Sequence, residues 1–350
     1  MAAVIFGKAY MKTSKWLVSF LIILAILLPG VSGCVGPASD LDFFRGKTVT
    51  IIVPNGTGGG IDAYARAVAP FLQKYLPGSK VEVQNITDHN GITGKNRVFA
   101  AQPDGLTLGF APISGALLAE WEGLPGVEYK TARFSYIGRL IADPHIMVVS
   151  PRSGFTKLGD LIQAGKIRMG FAGVGSDDYY VGLITASLLG YQVQARTNFL
   201  SSSDAGLACV RGDIDAILFS DSSIHSQINE KTVVPVVTFS KTRLASLPDV
   251  PTIFEVLPGN QQFIMQALVQ IYALDRTMIA PPDMPAGRLQ VLREALDKAA
   301  ADPEFLQNMA ALKRPVAYLN GDEITSVLQS ILASEDQIKP LVIKITLGAR

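Results

Sequence analysis

Beyond residue 47 the chain alternates short apolar runs with longer amphipathic ones. Segments 49–53 (VTIIV), 81–83, 107–110, 146–149, 168–171, 216–219 and 233–239 are short, apolar and often β-branched, and they read as strands. Between them, apolar positions recur at helical spacing. Ala65, Val68, Ala69, Leu72 and Tyr75 form one face of a helix that Pro77 and Gly78 stop. Residues 158–164, a segment ending near Gly190, and 201–210 also read as helices. So do a stretch carrying Leu289, Leu292, Leu296 and Ala299, and another at 304–312. The last residues, 340–350, read as a strand or a loose tail. Such alternation predicts an α/β fold with mostly parallel sheets and helices on both faces. No internal repeat or low-complexity segment interrupts it.

The N-terminus has a different pattern. Lys12 and Lys15 precede an almost unbroken apolar run at 16–28 (WLVSFLIILAILL). That run has the length of a signal-peptide core and is too short for an ordinary membrane span. Pro29 and Gly30 break it, and Val31-Ser32-Gly33-Cys34 follows. Small residues before a cysteine are what a lipoprotein signal peptidase accepts. The pattern therefore predicts a signal peptide at 1–33, a diacylglycerol on the Cys34 sulfur, and a polar tether at 34–43. The alternative is a plain signal peptide cut near Gly33, leaving a soluble periplasmic protein. Met11 is a second candidate start, because MKTSK makes the better basic region. The anchored form would sit in the periplasm or on the outer face of the cytoplasmic membrane.

Length and charge narrow the field. The 350 residues suggest about two domains, and 48% hydrophobic against 17% charged residues supports real cores. Lys and Arg total 31 against 30 acids, so there is no electrostatic reason to expect a nucleic acid or an acidic membrane patch as partner. Any bound anion must be held locally. Two cysteines, Cys34 and Cys209, make neither a disulfide framework nor a zinc site. Cys209 sits in an apolar stretch and reads as a small buried hydrophobe. His89, His145 and His225 lie far apart in sequence, so neither a metal site nor a cofactor is expected, nor a His-dependent triad.

Two strand–turn–helix units carry Gly-rich turns, 54–62 (PNGTGGGID) and 172–178 (AGVGSDD). In parallel sheets such turns lie at the carboxyl ends of strands, where ligands bind. The following helix begins with unpaired N–H groups and a positive dipole end, and glycines let a ligand approach. A carboxylate or phosphate could sit there without Lys or Arg. The same turns could equally be plain, with Asp62 and Ser176 as N-caps. Neither is a GxGxxG fingerprint or a phosphate-binding P-loop, and no GxSxG elbow exists in the chain.

Over about 44–331 the chain resembles the substrate-binding receptors of tripartite tricarboxylate transporters, the Bug-type periplasmic solute-binding proteins. The resemblance runs through VTIIVPNGTGGGIDAYAR (49–66), VEVQNITDHNGITG (81–94), QPDGLTLGF (102–110), FAGVGSDD (171–178) and GDIDAILF (212–219). It is most specific in SLPDVPTIFE (246–255) and in APPDMPAGRLQVLREALDKAAADPEFLQNMAAL (280–312). It implies a type II-like two-lobed periplasmic binding protein fold, with lobe 1 at 44–146 and 241–350 and lobe 2 at 147–240. The lobes would close on a small organic carboxylate by hinge motion and deliver it to transporter membrane subunits.

By the same resemblance, the ligand would meet Asn55, Gly56, Thr57, Gly58, Gly59, Gly60, Asp62, Asn90 and Gly91 on one lobe. Gly173, Gly175, Ser176, Asp177, Tyr179, Ser202 and Ser203 would face it from the other, with Ser114 and Asp221 at strand ends. Two departures matter. Asn55 stands where the family often has Phe, and Tyr179 where it often has His. Asp177 and Asp178 read first as charges complementing a helix dipole, and they disfavour a second ligand carboxylate. Catalysis is not expected, because Ser176 and Asp177 lack a sequence-adjacent base. The competing readings are a sensor of the same fold signalling to a membrane kinase, and an exported enzyme. A one-to-one receptor has no need to self-associate, so a monomer is expected.

Overall fold

The computed structural model describes residues 39–199 and 201–348. The signal peptide, Cys34 and most of the tether lie outside the described residues.

The chain begins with β1 (Thr48–Val53), α1 (Gly60–Tyr75), β2 (Lys80–Asn85), α2 (Ile92–Phe99), β3 (Thr107–Ala111), α3 (Ile113–Glu122) and β4 (Ser135–Arg139). It then crosses into β5 (His145–Val149), α4 (Leu158–Ala164), β6 (Lys166–Gly170), α5 (Asp177–Leu189), β7 (Gln192–Arg196), α6 (Ser202–Arg211), β8 (Ala216–Ser220), α7 (Asp221–Asn229) and β9 (Val234–Phe239). It returns through α8 (Ile253–Val256) and α9 (Gln262–Ile271) to β10 (Thr277–Ala280), α10 (Ala286–Ala301), α11 (Pro303–Ala311), β11 (Leu319–Asn320), α12 (Gly321–Leu332) and α13 (Glu335–Gly348).

Two sheets result, ordered β11-β4-β10-β3-β1-β2 and β7-β6-β8-β5-β9. Each is mixed rather than mostly parallel. β1 pairs in parallel with β2 and β3, and β6 with β7 and β8. β10, however, is inserted antiparallel between β3 and β4, and β5 antiparallel between β8 and β9. The strands of local βαβ units point their carboxyl ends at the cleft. A strand that arrives from the other lobe enters from the cleft and must run the opposite way. β5 pairs along its whole length within the second sheet.

Burial follows position in the sheet. β5 and β8 are buried at every residue, whereas the edge strand β2 alternates exposed and half-buried positions. Phe44, Ile51, Val68, Leu72, Phe110, Leu292 and Phe305 pack together on one face of the first sheet. Ile146, Val148, Cys209, Ile217 and Phe219 form a smaller core on the second. A third core runs continuously through α3, α5 and the C-terminal helices.

The last described segment, Glu335–Gly348, is helical, contrary to the strand or loose tail read from sequence. α13 packs against α3, α5 and α9 and buries Ile338 and Val342. Pro340 disguises the pattern: it lies inside the helix, past the first turn, where it removes one backbone hydrogen bond. Among the described residues, no helix is long and apolar enough to cross a membrane.

Candidate ligand-binding site

The carboxyl ends of β1, β6 and β8 face one another across a cleft, and a cavity of about 60 Å³ lies at its base. Asn55, Gly56, Gly59, Gly60 and Ile61 line it from the first Gly-rich turn. Ala172, Asp177 and Asp178 line it from the second, with Ser201, Ser202, Ser220 and Ser223 beside them. His145, Asp275 and Arg276 complete the wall.

The first turn leads into α1 with Gly59 at the N-cap. The N–H groups of Gly60 and Ile61 begin the helix and so have no acceptor four residues back. Asp62 is not the N-cap. It sits in the first helical turn, where its carboxylate accepts from Gly58 N, Arg66 Nε and Asn85 Nδ2. Burial pushes its pKa up, but these partners bring it below the ordinary value. Asp62 braces the turn and does not line the cavity. Thr57 and Gly58 are exposed, and the Gly58 carbonyl accepts from Ser203 Oγ of the opposite lobe at 3.1 Å.

Arg276 dominates one end of the cavity. Its Nη2 donates to Ser220 Oγ at 2.7 Å and Ser222 Oγ at 2.8 Å. The Asp143 carboxylate lies 3.5 Å away and the guanidinium stacks over Tyr64. Its Nε is buried without a hydrogen-bond partner. The Arg276 backbone is left-handed, φ 49°, which a non-glycine residue adopts at a cost. A Cβ built on Gly60 would overlap Ser223 Oγ and come within 3.2 Å of Arg276 Nη2, so only glycine admits this contact.

Opposite stands an acidic cluster. His145 Nε2 donates to Asp177 Oδ2 at 2.8 Å, and the imidazole stacks on the Tyr272 ring with centroids 3.8 Å apart. Ser114 Oγ donates to Asp275 Oδ1. One ligating atom each of His145, Asp177 and Asp275 lies within 4.8 Å of the others. Burial raises Asp177 and lowers His145, but their pairing reverses both: Asp177 falls below its ordinary value and His145 rises above its own. Burial and the Asp177 charge push Asp178 and Asp275 up to about 7. Asp178 Oδ2 accepts from Ala172 N, while Oδ1 is buried without a partner. Asp177 and Asp178 occupy the first turn of α5, so that helix start is already complemented by its own acids.

A neighbouring cavity, also about 60 Å³, is lined by Asn90, Lys95, Gly115, Gly173 and Ser176 and shares Asn55, Pro112, Ala172 and Asp177 with the first. Burial lowers Lys95 to about 8, partly offset by Asp177. Asn90 Nδ2 donates to the Val174 carbonyl at 3.4 Å across the cleft.

Other sequence-derived candidates lie elsewhere. Tyr179 is buried, its ring edge-on to Phe171 and Tyr180, and lines neither cavity. Gly175 packs toward Leu124, and Gly91 caps α2 against the Pro54 carbonyl. Ser114 acts through Asp275 rather than lining a cavity. Asp221 pairs with His225 away from the wall; burial, then the Asp143 charge, raises its pKa. Ser176 holds the N-cap position of α5, yet its hydroxyl donates to the Gly173 carbonyl instead of capping. Sequence reasoning missed His145, Asp275, Arg276 and Lys95 as cleft residues. Asp275-Arg276 was visible as a charged pair inside the apolar stretch 271–280, the one local signal available.

Two α/β lobes around a polar cleft with backbone donors at its base define a solute-binding protein. The chain belongs to the tripartite tricarboxylate transporter receptor family: the model for "Tripartite tricarboxylate transporter family receptor" matches residues 64–346. A relative from Agrobacterium vitis, a UPF0065 protein, is 30% identical over 295 residues, covering 82% of this chain and 80% of its own. MatC of Rhodopseudomonas palustris, solved with bound malate, superposes with a TM-score of 0.69 at 22% identity, covering 85% of this chain and 99% of its own. An R. palustris protein solved with adipate gives 0.69 at 16% identity, covering 86% and 97%. Members of this family are periplasmic solute-binding proteins, and this chain is a solute-binding receptor of that kind.

Proposed function

We propose that this receptor captures a small organic carboxylate in the cleft and presents it to the membrane subunits of a tripartite tricarboxylate-type transporter. The observation that carries this reading is the convergence of the α1 start and Arg276 on one cavity. Gly60 and Ile61 offer backbone N–H groups, and the buried Arg276 guanidinium offers a charge-assisted donor. The carboxylates bound by the two R. palustris relatives are of the matching class. The ligand docks on the Gly-rich turn, and the lobes close. Arg276 with Ser220 and Ser222, and Ser203 with Gly58, latch the closed form. Membrane subunits then read that closed form. The domain acts as a monomer in the periplasm, held by the lipid on Cys34, and uses no cofactor. The lobes divide near 140–144 and again after β9.

The test is a thermal-shift screen of the purified protein against mono-, di- and tricarboxylates, aromatic acids, amino acids and sugars at near-millimolar concentration. A ligand that binds only the folded state raises the midpoint by mass action. A shift with one carboxylate class, lost in Arg276→Ala, supports the reading. A shift with sugars alone sinks it.

A further inference from the structure

We infer that the ligand carries an ammonium group as well as a carboxylate, the ammonium being held by Asp177, Asp178 and Asp275. This rests on the carboxylate reading above and narrows it to zwitterionic amino-carboxylates.

Three carboxylates line the cavity, against one permanent cation, Arg276, and one titratable one, His145. Arg276 is already turned to the serines and Asp143, and His145 to Asp177. A second ligand carboxylate would meet acids on that wall. An ammonium would meet acceptors. The unmet hydrogen-bonding capacity of the wall points the same way. Asp178 is 1% exposed and its Oδ1 has no donor, and Arg276 is 1% exposed and its Nε has no acceptor. Asp178 Oδ1 and Arg276 Nε, a buried acceptor and a buried donor in the wall of a single cavity, fit the two ends of a zwitterion, and His145 Nδ1 in the same wall is a further buried nitrogen without a partner. Asn55 Oδ1, in the same wall, is a further buried acceptor without a donor. A small cavity sets the two ends close together, as they are in an α-amino acid.

The experiment compares matched pairs by calorimetry at pH 8: glycine with acetate, alanine with propionate, aspartate with succinate. At least one amino-carboxylate is expected to bind about tenfold or more tighter than its des-amino partner. Asp275→Asn and Asp178→Asn should reduce that preference while the des-amino acid binds as well or better. Des-amino acids that bind as tightly as their partners overturn the inference and leave the carboxylate reading standing. Binding of neither member of any pair overturns both. Tight binding of Mn²⁺ or Zn²⁺ without any organic ligand, abolished by Asp177→Asn, overturns it by reassigning the cluster to a metal. The ligand comparison needs no variant, so misfolding of the substituted proteins would not shield the inference.

Discussion

Arg276, at the entrance to β10 in one lobe, places Nη2 2.7 Å from the hydroxyl of Ser220, the last residue of β8 in the other. The same nitrogen reaches Ser222 at 2.8 Å, so one side chain ties both lobes together beneath the cavity. The ion pair with Asp143 places a third contact at the first crossing between lobes. On the proposed reading, a single guanidinium couples ligand capture to the relative position of the lobes.

Arg276→Ala should remove the carboxylate-dependent thermal shift. It should also cost roughly 3 kcal/mol in urea unfolding, because Asp143 loses its buried counter-charge. Arg276→Lys should restore charge but not the fork, recovering part of the stability and little of the ligand response. Unchanged unfolding and an unchanged ligand response in Arg276→Ala would remove this residue from the site.

Gly60 and Gly59 should respond differently to a methyl group. At Gly60 it would overlap Ser223 Oγ and crowd the guanidinium, whereas at Gly59 the nearest atoms lie 3.4 Å or farther away. Gly60→Ala should abolish ligand-induced shifts and enlarge the radius of gyration in small-angle scattering, with the lobes propped apart. Gly59→Ala should leave the dimensions unchanged. Equal behaviour of the two would place the tight approach elsewhere.

Stability should fall as pH rises between 5 and 8 without ligand. Asp178 and Asp275 bind protons more tightly folded, at about 7, than at their ordinary 3.8, and His145 is also raised. The folded state therefore holds more protons in this window, and stability present below it is lost as pH rises through the folded values. Asp177 and Arg276 face these groups, and Lys95, lowered to about 8, opposes the trend only at the top of the window. Asp302 and Glu255, lowered to about 2, titrate below the window. Thermal midpoints across the range check this. Asp178→Asn should flatten the slope, and a rising wild-type curve would contradict the assignment.

The Cys209 thiol is fully buried, and burial, then the Asp215 charge, raises it to about 12. Iodoacetamide should label it, by peptide mapping, in denaturant and not in the native protein. Native labelling at a comparable rate would show that the α6 core opens readily.

In the first lobe, Phe305 is fully buried with its ring edge 5.3 Å, centroid to centroid, from Phe71. Phe305→Ala should cost about 3–5 kcal/mol in chemical denaturation. A loss below about 1 kcal/mol would mean that the α1–α11 contact collapses to fill the space.

Much of this protein was legible in one dimension because its causes are local. Strand 49–53 is β-branched and central, so burial on both faces writes a continuous apolar run into the chain. The Gly-rich turn at 54–60 is legible because a helix start needs no distant partner to expose its N–H groups. The family emerged from ordered local motifs of this kind. Tertiary structure decided what lies opposite. His145, Asp177 and Asp275 come from three separate parts of the chain, and Arg276 acquires its meaning only when β10 enters the first sheet against the direction of β3. Tyr179 could be read as a cleft residue until packing turned its ring onto Phe171. Sequence periodicity reports which face of an element is buried. It carries no record of which other buried face that element meets, because that depends on the direction in which distant strands are inserted.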